Sequence, residues 1–393
     1  MLDILLKGVN IKGNILDVGI AQGEFVLLEP HIGVSAQREL DCRGWLAVPG
    51  LVDCHLHLDK SLLMERAHYV DVSGPEKGAL TRAEKATFTE ADIRARAEKV
   101  IKAGFAAGNL LIRTSVDVDP LVGTTGVKAL LALKEKYAGL VNIQVAAFAQ
   151  EGFEKYPASV DLLRQALDMG ADLVGGHTIV DTDGRRHIDT ILNLAREYGV
   201  EAEFHLDESG KREHYLLPYV TQRMKEMGLK GRVTGIHCCT LSALTPEERK
   251  EALDFMVKGS LKVISAPTAI STRNIAPVKE LLAAGLLVGI GSDNVADFFN
   301  PIGSGDIKQA ALLLAYVQRF FTFELVGQLW DMLTYRGAAL LGYSGYDIAL
   351  GQRADITLFE ALNPRDVLAR QASPALIIRG GQIHYRKNGD QWW

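Results

Sequence analysis

Apolar and polar positions follow two different rhythms along this chain. Near the start, short apolar runs are broken by glycine: Ile4-Leu5-Leu6, residues 9–11, residues 15–18 and Phe25-Val26-Leu27. Such runs predict strands joined by tight turns. The far end repeats the rhythm at 354–359 and 375–383. Neither end is long enough to bury a core by itself. Both are therefore expected to combine into one small β-sandwich domain, residues 1–49 with 350–393, flanking a central domain at 50–349.

In the central part, strand-like and helix-like runs alternate. A strand beginning at Leu51 runs into His55-Leu56-His57, and further strands are predicted at 110–117, 143–150, 172–177, 200–206, 233–238, 261–266 and 286–293. Helical spacing falls between most of them, as at 159–169, 188–198 and 276–284. Thr89 is placed to cap a helix carrying Ile93, Ala97, Val100 and Ile101, with Gly104 and Gly108 as stop signals. Residues 72–85 are polar and glycine-bearing, and read as a long connection over the strand ends, a candidate lid. Eight strands with intervening helices over about 300 residues predict a (β/α)₈ barrel. The rival, an open doubly wound sheet, lacks its dinucleotide fingerprint: Gly289-Ile290-Gly291 sits inside a strand, and Gly303-Ser304-Gly305 opens no clear helix.

A barrel of this type carries its chemistry where the strands end. Side chains two apart on a strand point the same way, so His55 and His57 present two imidazoles together. Two convergent imidazoles suit a divalent metal of the zinc or iron kind, although a histidine pair alone is a weak signal. Other predicted ends carry Gln150, His205 with Asp207 and Glu208, His237, and Asp293 with Asn294. Buried polar groups cost free energy unless they serve one another, and this many at one mouth imply a shared metal site.

Composition narrows the partners. With 48% hydrophobic and 23% charged residues the chain is ordinary globular protein, and a net charge of −5 with no basic run gives nucleic acid nothing to hold. The four cysteines, Cys42, Cys54, Cys238 and Cys239, have no metal-ribbon or disulfide spacing, so reduced thiols in a cytoplasm are expected. No secretory leader is expected from MLDILLKGVNIKGN, and no apolar run is long enough to span a bilayer.

The chain resembles the amidohydrolase superfamily, and within it the branch holding cytosine deaminases and N-isopropylammelide hydrolases. The resemblance rests on GLVDCHLHLDKS, the VDV of the second barrel strand, FAQEG, GADLVGG, FHLDES, GRVTGIH, and GSDN followed by DFFNPIG. It implies one divalent ion, zinc or iron with manganese also compatible, held by His55, His57, His205 and Asp293. It also implies that Gln150, Glu208 and His237 face a small heterocyclic substrate, with Glu208, His237 and Asp293 moving protons. Phe299 falls where a ring-stacking aromatic is expected, and Asn294 is expected to be a further substrate contact. At the end of the fourth strand His177 stands where two-metal relatives carry a lysine, which favours one metal.

Four positions separate the branches. Ser115 replaces a histidine of the cytosine deaminases, whereas Lys60 and Asn294 are more like the N-isopropylammelide hydrolases. Glu208 points back to deamination of a cytosine-like free base. The expected activity is therefore deamination with release of ammonia. The alternatives are removal of an alkylamine from a triazine and a non-catalytic metal-binding relative. Self-association into a homo-oligomer is left open by the sequence.

Overall fold

Among the described residues of this computed structural model, which are 1–66, 74–268 and 274–387, the strands fall into two eight-stranded sheets. The chain opens with β1 (Leu2–Ile11), β2 (Asn14–Ala21), β3 (Glu24–Glu29), β4 (Ala36–Asp41) and β5 (Leu46–Val48). It continues through β6 (Leu51–Leu56), β7 (Asn109–Asp117), β8 (Asn142–Ala149) and β9 (Leu173–His177). Then come β10 (Glu201–Leu206), β11 (Val233–His237), β12 (Lys262–Ser265) and β13 (Val288–Ile290). The chain returns to the first sheet in β14 (Ile356–Phe359), β15 (Leu376–Arg379) and β16 (Gln382–Arg386).

The terminal sheet runs β16-β15-β14-β5-β1-β2-β3, with β4 paired to β1. Both ends of the chain thus build one unit, as expected from their shared rhythm. The turn between β1 and β2 is Lys12-Gly13, at φ 51° and 88°. Two left-handed residues in a two-residue loop match the twist of the paired strands, which is why glycine stands there. Its core is apolar, with Leu6, Val9, Val18, Phe25, Ile356 and Ile378 fully or almost fully buried.

Strands β6 to β13 lie side by side in chain order, all parallel. A parallel bridge between Leu56 and Asp293 joins the last strand's end to the first. The sheet therefore closes into the predicted barrel. The intervening helices include α1 (Gly74–Lys85), α2 (Glu90–Ala107), α3 (Thr125–Lys136), α4 (Ser159–Asp168) and α5 (Gly184–Tyr198). Further along come α6 (Leu217–Glu226), α7 (Pro246–Gly259) and α8 (Val278–Ala283). Thr89 caps α2 as expected, its side chain accepting from the Asp92 amide, and Gly108 ends it in the left-handed region.

Two expectations need correction. Gly104 does not stop α2; it lies inside the helix, where a Cβ would press on the Asn109 side chain and the Gly305 carbonyl. The connection expected at 72–85 is helix α1 from Gly74 onward, while Val72 and Ser73 lie outside the described residues. Its sequence, GPEKGALTRAEK, has good helix formers but no apolar stripe. Among the described residues no helix is long and apolar enough to cross a membrane.

Candidate metal centre and substrate pocket

Strand β6 brings Asp53 and His55 to the mouth of the barrel, and His57 follows just past its end. Just past β13, Gly291 passes close against His55: a Cβ there would lie 2.6 Å from the His55 carbonyl oxygen. That close approach sets Asp293 beside both histidines. Asp293 Oδ1 is 3.4 Å from His55 Nε2 and 3.5 Å from His57 Nε2. Strand β10 supplies His205, whose Nε2 lies 3.2 Å from His55 Nε2. The ring nitrogens of His55, His57 and His205 all fall within 4.8 Å of one another, and so do the ligand atoms of His55, His237 and Asp293. All five side chains are buried.

This donor set fits a divalent cation. Two imidazole nitrogens face one another at 3.2 Å, and their opposite nitrogens already have other partners. His57 Nδ1 meets the Ser115 carbonyl at 3.1 Å, so it carries the proton and leaves Nε2 as a lone pair. His55 Nδ1 meets Ser115 Oγ at 3.2 Å, and that hydroxyl lies 2.5 Å from Glu203 Oε1. His205 Nδ1 faces Glu208 Oε2 at 3.3 Å. Electrostatics agree with neutral imidazoles. Burial, helped by Lys60 and the neighbouring rings, holds His57 well below the usual histidine range. Burial also pushes His205 down to about 3, against the pull of Glu208.

One side of the cluster carries the groups expected to meet substrate. Glu208 Oε2 lies 2.9 Å from His177 Nε2, and Oε1 lies 3.9 Å from His237 Nε2. His177 Nδ1 is 2.9 Å from Gln150 Nε2. Since Gln150 Nε2 can only donate, His177 Nδ1 accepts, and the imidazole proton sits on Nε2, facing Glu208. The histidine of the fourth barrel strand thus lies between Gln150 and Glu208. The phenyl ring packed under the histidines is Phe148, 4.7 Å from His205 between centroids.

The strand ends are conformationally unusual. Asp207, His237, Cys238 and Asp293 have φ of 52°, 73°, 49° and 63°. Non-glycine residues rarely sit there, and such outliers gather at functional sites. Asp207 is a supporting residue, accepting from the Leu216 and Leu217 amides at 2.7 and 3.2 Å. Asn294 turns its amide to Asp297 at 2.6 Å, which anchors the loop that follows. Phe299 is 40% exposed on that loop, whose turn is held by Asp297 accepting its amide at 2.9 Å. All four cysteines are buried free thiols.

A charged wall flanks the mouth. Lys60 Nζ pairs with Asp117 Oδ1 at 2.7 Å. Lys85, the last residue of α1, reaches Asp117 at 2.5 Å, Glu151 at 2.9 Å and Asp119 at 3.0 Å. Sequence reading singled out Lys60 but missed Lys85, Asp119, Glu151, Glu203 and Arg113. The one available signal was period two. Glu203 stands two before His205 on β10, and Arg113 two before Ser115 on β7.

A profile of the amidohydrolase family matches residues 61–385. N-isopropylammelide isopropyl amidohydrolase of Pseudomonas sp. strain ADP is 34% identical over 397 residues, covering 97% of this chain and 96% of its own. The crystal structure of N-isopropylammelide isopropylaminohydrolase from Burkholderia multivorans superposes with a TM-score of 0.90 at 29% identity, covering 98% of this chain and 99% of its own. That of 5-methylcytosine deaminase from Klebsiella pneumoniae, liganded with 5-fluorocytosine, reaches 0.91 at 24% identity and covers 98% of both chains; it speaks for the fold.

Proposed function

Given that the chain belongs to the amidohydrolase family, we propose that it is a metal-dependent hydrolytic deaminase of a small nitrogen heterocycle, a cytosine-like free base. The observation that carries this reading is the place of Glu208. Its carboxylate is buried beside the imidazole cluster, within 2.9 Å of His177, 3.3 Å of His205 and 3.9 Å of His237. A metal-binding scaffold needs no acid there, and a deaminase does.

His55, His57, His205 and Asp293 would hold one divalent ion, zinc or iron, with manganese compatible with the same ligands. A bound ion would lower the pKa of a water in its open position. The chain's own groups then divide the proton work. His237 holds that water and takes up its proton or passes it to Asp293. Glu208 protonates a ring nitrogen, which makes the adjacent amidine carbon more electrophilic. Asp293 returns a proton to the departing nitrogen. A C–O bond forms, the exocyclic C–N bond breaks, and a cyclic amide and ammonia result. One N–H of Gln150 is engaged by His177, so its second N–H and its carbonyl oxygen remain to donate to and accept from a ring edge.

A second reading, removal of an alkylamine from a triazine, is favoured by a specific observation. The Pseudomonas relative whose name states that activity matches nearly the whole chain at 34% identity. Product analysis separates the two. Protein reconstituted with zinc or iron is incubated with cytosines, pterins, purines and N-isopropyl triazines, and the released amine is identified. Ammonia from a ring amine supports the deaminase. Isopropylamine with no ammonia replaces it with the second reading, and no turnover of any ring by metal-loaded protein contradicts both.

A further inference from the structure

Ser115 is one of the positions at which the sequence departs from the cytosine deaminases, and the structure gives it a task. Its hydroxyl sits between His55 and Glu203, 3.2 Å from the imidazole Nδ1 and 2.5 Å from the carboxylate Oε1. An ionised carboxylate can only accept, so the Ser115 proton belongs to Glu203. The oxygen of Ser115 must then accept from His55, which places the imidazole proton on Nδ1 and leaves Nε2 unprotonated toward His205 and Asp293.

Glu203 is itself completely buried in the barrel interior. Its second oxygen faces the guanidinium of Arg113 at 3.7 Å, and Arg113 is 1% exposed. Arg113 in turn donates to Gln144 at 2.9 Å and pairs with Glu201 at 3.3 Å, which meets Lys262 at 2.5 Å. A charged column thus runs up the barrel axis and stops under one imidazole. A buried carboxylate with its guanidinium is costly to keep in an apolar barrel unless it serves something. We propose that Glu203, acting through Ser115, is a positioning residue that fixes the tautomer and raises the basicity of His55 toward a cation. This rests on reading the histidine cluster as a cation site.

The test is zinc affinity of the metal-stripped full-length protein, read by competition with a chromophoric chelator, so that no turnover is needed. Loss of a partner to a ligating histidine weakens metal binding by on the order of 10- to 100-fold. Ser115→Ala and Glu203→Gln should each do so, Ser115→Thr should keep the parent affinity, and the double variant Ser115→Ala/Glu203→Gln should be no weaker than Ser115→Ala alone. Ser115→Ala removes a single hydroxyl and carries the test if Glu203→Gln fails to fold. Affinities within about twofold of the parent in folded variants, or a double variant whose losses multiply, overturn the relay and leave the metal site standing. Failure of the parent protein to bind zinc overturns both.

Discussion

The backbone N–H of Asp293 donates to the carbonyl oxygen of His55 at 2.9 Å, and the Asp293 carbonyl accepts from the His57 amide at the same distance. The seam that closes the barrel therefore runs through the cluster of proposed ligands. Closing the sheet and assembling the site are one event. Gly291 permits the approach, since a Cβ there would meet the His55 oxygen at 2.6 Å and its Cβ at 2.8 Å. Gly291→Ala should destabilise the metal-stripped protein by about 1–3 kcal/mol, the usual cost of overpacking. It should also weaken zinc binding. Urea unfolding and chelator competition on the same variant check whether the two losses travel together.

Glu208 is assigned as the acid that activates the ring. Glu208→Gln keeps the shape and removes the proton. It should lower kcat by roughly 10²- to 10⁴-fold, with zinc content unchanged. His177→Leu, which removes the imidazole between Gln150 and Glu208, should lower kcat/KM by up to about 10²-fold through misplacement alone. Steady-state kinetics at measured metal content decides. A Glu208→Gln enzyme at parental rate removes the acid role.

Much of this fold was readable from alternation, and the misses have physical causes. The barrel strands are almost wholly buried and most carry a short apolar run, such as Leu110-Leu111-Ile112 in β7 and Val263-Ile264 in β12. Strand β4, AQRELD, is mostly exposed and pairs along one edge, so it offers no alternation to read. Helix α1 buries a lysine where a pattern of apolar residues was sought: Lys85 is 1% exposed. The proposed ligands His55, His57, His205 and Asp293 could be named from the family resemblance together with their places at strand ends. Glu203 and Arg113 were not, because an acidic or basic residue in a strand reads as solvent-facing unless the barrel interior is known to be charged.

Lys85 ties α1 to three carboxylates that would otherwise be buried with too little positive charge. Burial alone would raise the Asp117 carboxyl, yet Lys60 and Lys85 bring it down to about 2. Lys85→Met keeps the length and removes the charge. Breaking one partner of a buried network costs about 3–5 kcal/mol. Urea unfolding should show that loss, and hydrogen exchange should rise first in residues 76–85. Parental stability would mean that α1 is held by something else.

Asp207 should leave a mark on stability against pH. Burial pushes its carboxyl up to about 7 from 3.8, the Leu216 and Leu217 amides acting the other way. Between those values the folded chain keeps a proton that the unfolded chain has released. This contribution is therefore greatest at the acid end and is lost as pH rises through the folded value. Asp53 and Asp297, each raised to about 6 by burial, tilt the curve in the same sense. Asp207→Asn keeps an acceptor and cannot titrate. Urea unfolding of the metal-stripped variant should show a flatter profile from pH 4 to about 7, and an unchanged slope there would contradict the assignment.

Anomalous diffraction from crystals of the zinc-loaded protein bears most directly on the whole account. A single peak is predicted at the barrel mouth, with His55 Nε2, His57 Nε2, a His205 ring nitrogen and an Asp293 carboxylate oxygen about 2.0–2.2 Å from it. A zinc peak elsewhere, or none while these four side chains stand apart, would contradict it.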